Sequence, residues 1–250
     1  MKLLLQLSFV ALFVCSCSKK KDPAPKQPFI KTITRTFPVG DANRTSNFVY
    51  DEKNRIKQFE FTINGLRFLS TYTYNDQDLI VQANQKRTQI STGNTSEMAL
   101  EFRYAAGILN EYIEDGTAHP VVYVAASKSF SYLTKTFFLD AADNLKKIDY
   151  PARNNVTVNY LSDKGPFGIQ PAQMALHIFT DNIRRSVDTY TASIDTYAFS
   201  KNEISSIKDK DVIVYHFSSI RDEQGNIIQT DVKDDAGTLL YRYVYTYEMR

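Results

Sequence analysis

The sequence predicts an all-β protein, a long antiparallel up-and-down meander that curls or closes into a barrel. Three observations carry this. Sixteen Tyr and sixteen Phe, with frequent Thr, favour pleated strands over helices. Short runs of alternating polarity, separated by turn clusters, recur from Phe29 onward. One unit also appears twice at a spacing of 24 residues: an aromatic ends a strand, Asp or Asn opens a turn, and an aliphatic resumes six positions later, as in Tyr50-Asp51 to Ile56 and Tyr74-Asn75 to Ile80.

Before that pattern begins, the chain reads as an address. Met1-Lys2 is basic, and Leu3 to Val14 is apolar apart from Gln6 and Ser8. Such a stretch is too short to span a bilayer but suits the core of a signal peptide. The run Val14-Cys15-Ser16-Cys17 resembles a bacterial lipobox, which implies cleavage before Cys17 and acylation of that cysteine. Ser18 to Pro28 is charged and proline-rich, cannot bury apolar surface, and reads as an extended tether. The expected organisation is a signal peptide over 1–16, a lipidated cysteine and tether over 17–28, and a single β domain over 29–250.

Within that domain, Asn47 to Tyr50, Arg55 to Ile63, Leu66 to Tyr74 and Leu79 to Ala83 read as consecutive strands. Asn64-Gly65 is a strong hairpin signal, because a type I′ turn needs positive φ at both central residues. Leu66, Phe68, Ser70, Tyr72 and Tyr74 share one face, with Arg67, Leu69, Thr71 and Thr73 opposite. Met98 to Tyr104, Ile108 to Glu114 and Pro120 to Ala126 follow. Phe130, Tyr132, Thr134, Thr136 and Phe138 read as one alternating face, and Leu145 to Tyr150 and Val156 to Leu161 as further strands. The pattern breaks between Ser162 and Val187, where 171–179 is the best helix candidate: Pro171 fits a first turn, and Met174, Leu176 and Ile178 can form an apolar stripe. Strands resume at Tyr190 to Phe199, Ile204 to Lys208, Val212 to Ile220, Ile227 to Val232 and Thr238 to Tyr247, roughly fourteen in all. An open sheet that wide leaves two hazardous edges, so the C-terminal strand is expected to pair near Ile30 to Phe37 or Asn47 to Tyr50. Tyr241, Tyr243 and Tyr245 would then point inward, with Arg242 and Thr246 outward.

Composition excludes several chemistries. Lys plus Arg is 30 against 28 Asp plus Glu, so no nucleic-acid partner is implied. Both cysteines lie in the first 17 residues, which removes disulfides, thiol nucleophiles and cysteine metal sites from the β domain. His119, His177 and His216 are widely separated, and no zinc spacing, nucleophile elbow, phosphate-binding loop or dinucleotide fingerprint occurs. No catalytic residue, metal or cofactor is therefore assigned. Most carboxylates sit in turns (Asp51, Asp78, Asp140, Asp222, Asp234), where they bond the backbone. The candidate ligand-binding residues are Tyr241, Tyr243 and Tyr245, since aromatic faces stack on sugars and line pockets as well as filling cores.

The Tyr-Asp turns, with Asp222 to Ile227 and Asp235 to Leu239, resemble the tyrosine–aspartate repeats of Rhs-type proteins. With the lipobox and tether, the chain more closely resembles uncharacterised lipoproteins of Bacteroidetes that carry a porin-like β domain. That resemblance implies a β-meander and a place at the outer membrane, on the periplasmic face or the cell surface; it brings no activity. The expectation is a non-enzymatic binding or structural module, attached to the membrane by its lipid and open to a glycan or small-molecule ligand. The alternative is a carboxylate-dependent glycoside hydrolase or other envelope hydrolase. A membrane-spanning barrel fits less well, because Arg67, Glu101, Arg103 and Arg242 would cost ~2–4 kcal/mol each near the lipid midplane.

Overall fold

The computed structural model describes residues 26–38, 43–63, 65–150, 155–167, 174–179, 200–210 and 212–250. The signal peptide, Cys17, Asn64 and the expected strand Tyr190 to Phe199 lie outside the described residues. The strands are β1 (Pro28–Thr36), β2 (Arg44–Tyr50), β3 (Ile56–Ile63), β4 (Leu66–Tyr74), β5 (Ile80–Gln89), β6 (Thr95–Ala105), β7 (Ile108–Glu114) and β8 (Thr117–Val124). They continue with β9 (Ser129–Tyr132), β10 (Lys135–Leu139), β11 (Leu145–Asp149), β12 (Val156–Lys164), β13 (Asn202–Asp209), β14 (Val212–Arg221), β15 (Ile227–Lys233) and β16 (Leu239–Met249). Each pairs antiparallel with its sequence neighbours, and β16 returns to β1 to close the barrel.

Closure removes both edges. The seam puts Ile33 opposite Tyr245, Arg35 opposite Tyr243 and Thr36 opposite Arg242. Gln27 and Arg250 extend it with reciprocal backbone bonds of 2.8 and 3.0 Å. Tyr241, Tyr243 and Tyr245 are buried toward the interior, while Val244 and Thr246 are exposed and Arg242 reaches Asp231 of β15 on the outer wall at 2.6 Å. The C-terminal strand thus pairs with the first of the two expected partners.

Sixteen strands are described, against about fourteen expected from turn spacing. Part of the difference is at 129–139, which is a hairpin and not one strand. Leu133 turns it with φ +52°, and Phe130, Tyr132 and Phe137 are buried, so Thr134 and Phe138 do not share the Phe130 face.

An up-and-down barrel places alternate connections at alternate ends. The lower end carries the turns opened by Asp51, Asn75, Asp140 and Asp222; the side-chain Oδ1 of each accepts from the backbone N–H groups two and four residues on, at 2.7–3.0 Å. Above this ring lies a second one. Tyr50 donates its hydroxyl to the Ile30 carbonyl (2.8 Å), Tyr74 to Ile56 (2.7 Å), Tyr104 to Ile80 (2.7 Å), Tyr160 to Leu145 (2.8 Å) and Tyr247 to Ile227 (2.7 Å). The aliphatic that resumes after one turn is thus the acceptor for the tyrosine of the next. Burial pushes all five hydroxyls further above the usual phenol range and keeps them as donors. At the upper end, Gly65 has φ +73°, the left-handed conformation that the Asn64-Gly65 hairpin signal calls for.

The connection between β12 and β13 enters the barrel. Its helix α1 (174–179) is the short helix expected there, but it is buried at every position and not only along the stripe of Met174, Leu176 and Ile178; residues 171–173 lie outside the described residues. The reason is its location. Phe179 packs on Tyr72 of β4 (ring centroids 5.6 Å), and Phe167 packs on Phe48 of β2 (5.3 Å), so the helix and the residue leading to it are seated against the inner wall.

Two outcomes follow from this packing. Tyr243→Asp places a charge inside the seam and should leave no cooperative thermal transition, whereas Arg242→Thr removes an outer-wall ion pair and should cost about 1 kcal/mol or less. A larger loss of melting temperature in the Arg242 variant would show that the seam register is reversed, and equal losses would refute the inward placing of Tyr243. Tyr74→Phe deletes one rim hydroxyl and orphans a carbonyl, with an expected loss of about 1–2 kcal/mol in chemical denaturation.

Candidate functional site in the barrel lumen

The wall separates polarity by face. Outside, ion pairs run from strand to strand: Arg67 to Glu60 (2.6 Å), Lys86 to Glu97 (3.5 Å), Arg103 to Glu111 (2.8 Å) and Arg242 to Asp231 (2.6 Å). Threonine hydroxyls fill the seam between them, as in Thr32 to Thr246 at 2.7 Å. Inside, aromatic and aliphatic side chains from most strands merge with α1 into one core.

The three candidate tyrosines belong to that inner face. Tyr243 sits edge-on to Tyr241 (centroids 5.5 Å) and beside Tyr245 (6.3 Å). Tyr243 and Tyr245 border a cavity of about 30 Å³ with Glu203, Phe217 and Thr230. A space of that size holds a water or two and not an organic ligand. Glu203, itself buried, is held by the Arg221 guanidinium, which also donates to the Lys164 carbonyl at 3.0 Å. These residues tie the inward-running connection to the wall.

A larger cavity, about 410 Å³, opens at the lower end and was not visible in the sequence. Tyr104, Leu109, Tyr123, Phe130, Leu139 and Met174 line it, and Lys128 and Asp143 form an ion pair of 2.9 Å at its mouth. Lys128 closes a 3₁₀ turn (Ala125–Ser127) in the left-handed conformation, φ +46°, and its ammonium also reaches the Ala141 carbonyl at 3.2 Å. Apolar walls with one charged pair at the mouth suit a small amphipathic molecule. Its lining comes from six separate segments, so no local motif announces it.

At the upper end, Arg35 on β1 and Arg44 on β2 are both buried. A signal for Arg35 did exist: Ile33, Arg35 and Phe37 alternate with Thr32, Thr34 and Thr36, so an arginine occupies the inward register.

The three histidines stay apart. His119 stacks on Tyr112 (centroids 4.8 Å), His216 is exposed on β14, and His177 is enclosed in α1, where burial pushes its imidazole down to about 4. Among the described residues no group of three or more His, Cys, Asp or Glu is placed to hold a metal ion.

Four carboxylates, three in turns and Asp231 on β15, are drawn toward the anion by their neighbours. Burial works to raise Asp51, but hydrogen bonds from the Arg55 backbone and side chain outweigh it and hold the group below the usual range. Hydrogen bonds from Lys53 lower Asp78, from the Asn226 side chain Asp222, and from Arg242 Asp231.

No protein-family model matches the chain, and no curated protein matches it. Among solved structures, a porin-like protein from Bacteroides vulgatus aligns with a TM-score of 0.43 at 10% identity, covering 89% of this chain and 99% of that one. A porin-like protein from Bacteroides uniformis aligns with a TM-score of 0.39 at 14% identity, covering 88% of this chain and 96% of that one. Likeness this distant says nothing about activity.

The buried imidazole makes stability depend on pH. Its folded value lies below the ordinary 6.5, so the unfolded chain binds the proton first; the stabilising effect is complete above about pH 6.5 and is lost as pH falls toward 4. The loss should approach about 3 kcal/mol across that window. His177→Phe, compared with wild type by denaturant titration at pH 7 and pH 4.5, should show a smaller acid loss; identical loss in both would refute the assignment.

Proposed function

We propose that this chain is a lipid-anchored protein of the cell envelope whose barrel is a non-enzymatic binding module and not a pore. One observation carries the reading: polarity is inverted relative to a membrane channel, with ion-paired charges outside and a filled aromatic interior. Lipid would meet those charges at ~2–4 kcal/mol each near its midplane. Sixteen strands ordinarily leave an aqueous channel, and here α1 and Phe167 occupy it.

Attachment through Cys17 is compatible with this geometry. The barrel begins at its lower end, 11 residues after Cys17, and such a tether reaches at most ~40 Å. The lower cavity would then face the membrane at short range. Its size and walls favour a small amphipathic ligand, of which a glycan fragment stacking on Tyr104 or Tyr123 is one form.

In cells fed an alkyne fatty acid, Cys17→Ser should lose label and leave the membrane fraction, while Cys15→Ser should behave as wild type. Normal processing and membrane fractionation of the Cys17 variant would end the lipoprotein reading. For binding, a panel of glycans and short-chain amphiphiles should include members that bind the wild type and lose at least tenfold affinity for Leu109→Trp, which fills the cavity. A panel in which no member separates the two proteins would end the binding reading.

A further inference from the structure

We propose that Arg35 anchors an oxyanion-binding site inside the upper end of the barrel, separate from the lower cavity. Arg35 is only 2% exposed. Its Nε and Nη1 are buried without a hydrogen-bond partner among the described residues. Its guanidinium carbon lies 4.7 Å from the Phe37 ring centroid and 4.0 Å from that of Tyr241. The two ring contacts return only part of what burying a guanidinium costs, so the charge calls for a counter-anion.

The geometry also says where the anion goes. The two ring centroids are 6.0 Å apart, so the rings meet adjoining sides of the guanidinium and do not sandwich it, and the edge carrying Nε and Nη1 has no partner among the described residues. That edge matches the oxygens of a carboxylate, sulfate or phosphate group. Phe37 and Tyr241 thus pack against the guanidinium before any ligand arrives.

A second arginine stands beside it. Arg44 of β2 is directly opposite Arg35 in the β1–β2 register, is 8% exposed, and has its guanidinium carbon 5.8 Å from the Phe61 ring centroid. Arg35 is the penultimate residue of β1, so the site lies just inside the upper mouth.

The test is calorimetry on the full chain in detergent, in chloride, sulfate, phosphate, acetate and glucuronate at matched ionic strength. An oxyanion in hundredfold excess over its Kd should raise Tm by roughly 5–10 °C relative to chloride. A shift by sulfate or phosphate identifies a free inorganic ion; a shift by acetate or glucuronate alone identifies the acid group of an organic ligand; both support the site. Arg35→Met should abolish the shift while keeping or raising Tm in chloride. Absence of any oxyanion-specific shift in the wild type, or its full retention in Arg35→Met, overturns the proposal. Should that variant not fold, equilibrium dialysis of the wild type with labelled phosphate and labelled acetate decides: saturable binding of either supports the site, and none refutes it.

Discussion

A closed ring of sixteen strands encloses more space than its own inward side chains can fill. That interior must hold either water or more protein, and the choice governs everything else here. The chain fills it, using the connection between β12 and β13 to bring Phe167 and α1 inside. Once the lumen is dry, the inner wall must be apolar, and the outer wall is left to carry the charges. The Arg67–Glu60, Arg103–Glu111 and Arg242–Asp231 pairs are each solvated and individually weak. Together they set a charged outer face against an apolar inner one.

The lower rim shows how such a ring keeps its register. Each tyrosine of the Tyr-turn-aliphatic unit donates to a carbonyl at the base of the preceding strand in the meander. Because that carbonyl belongs to the aliphatic that resumes after the preceding turn, the repeated unit is half donor and half acceptor. The acid in the turn is secondary. Tyr104 has no acid after it and still donates to Ile80, whereas Asp140 builds its turn with Leu139, not a tyrosine, before it. Arg55 joins neighbouring turns by bonding both Asp51 and Asp78 while lying 4.2 Å over the Tyr74 ring.

Polar groups inside a dry barrel are conspicuous because each needs a compensating partner. Glu203 has Arg221, and Asn144 bridges Asp140 and Asn202 at 2.9 Å. His177 stays neutral. Arg35, packed against the Phe37 and Tyr241 rings, differs from these in lacking a protein acceptor among the described residues.

The sequence by itself determined the strands, their alternation and the turns, because side-chain period and turn chemistry are local. It also determined that Tyr241, Tyr243 and Tyr245 face inward at a closing seam, since a free C-terminal edge of that length is unfavourable in water. It did not separate β9 from β10: the Leu133 turn carries no Gly, Asn or Asp to announce a positive φ. Nor could it say that 174–179 lies within the barrel, because an apolar stripe looks the same whether a helix caps a core or is surrounded by one. The 410 Å³ cavity and the Arg35–Arg44 corner were decided by tertiary structure alone. Each is assembled from residues distant in the chain or from an inward register whose meaning depends on what fills the lumen.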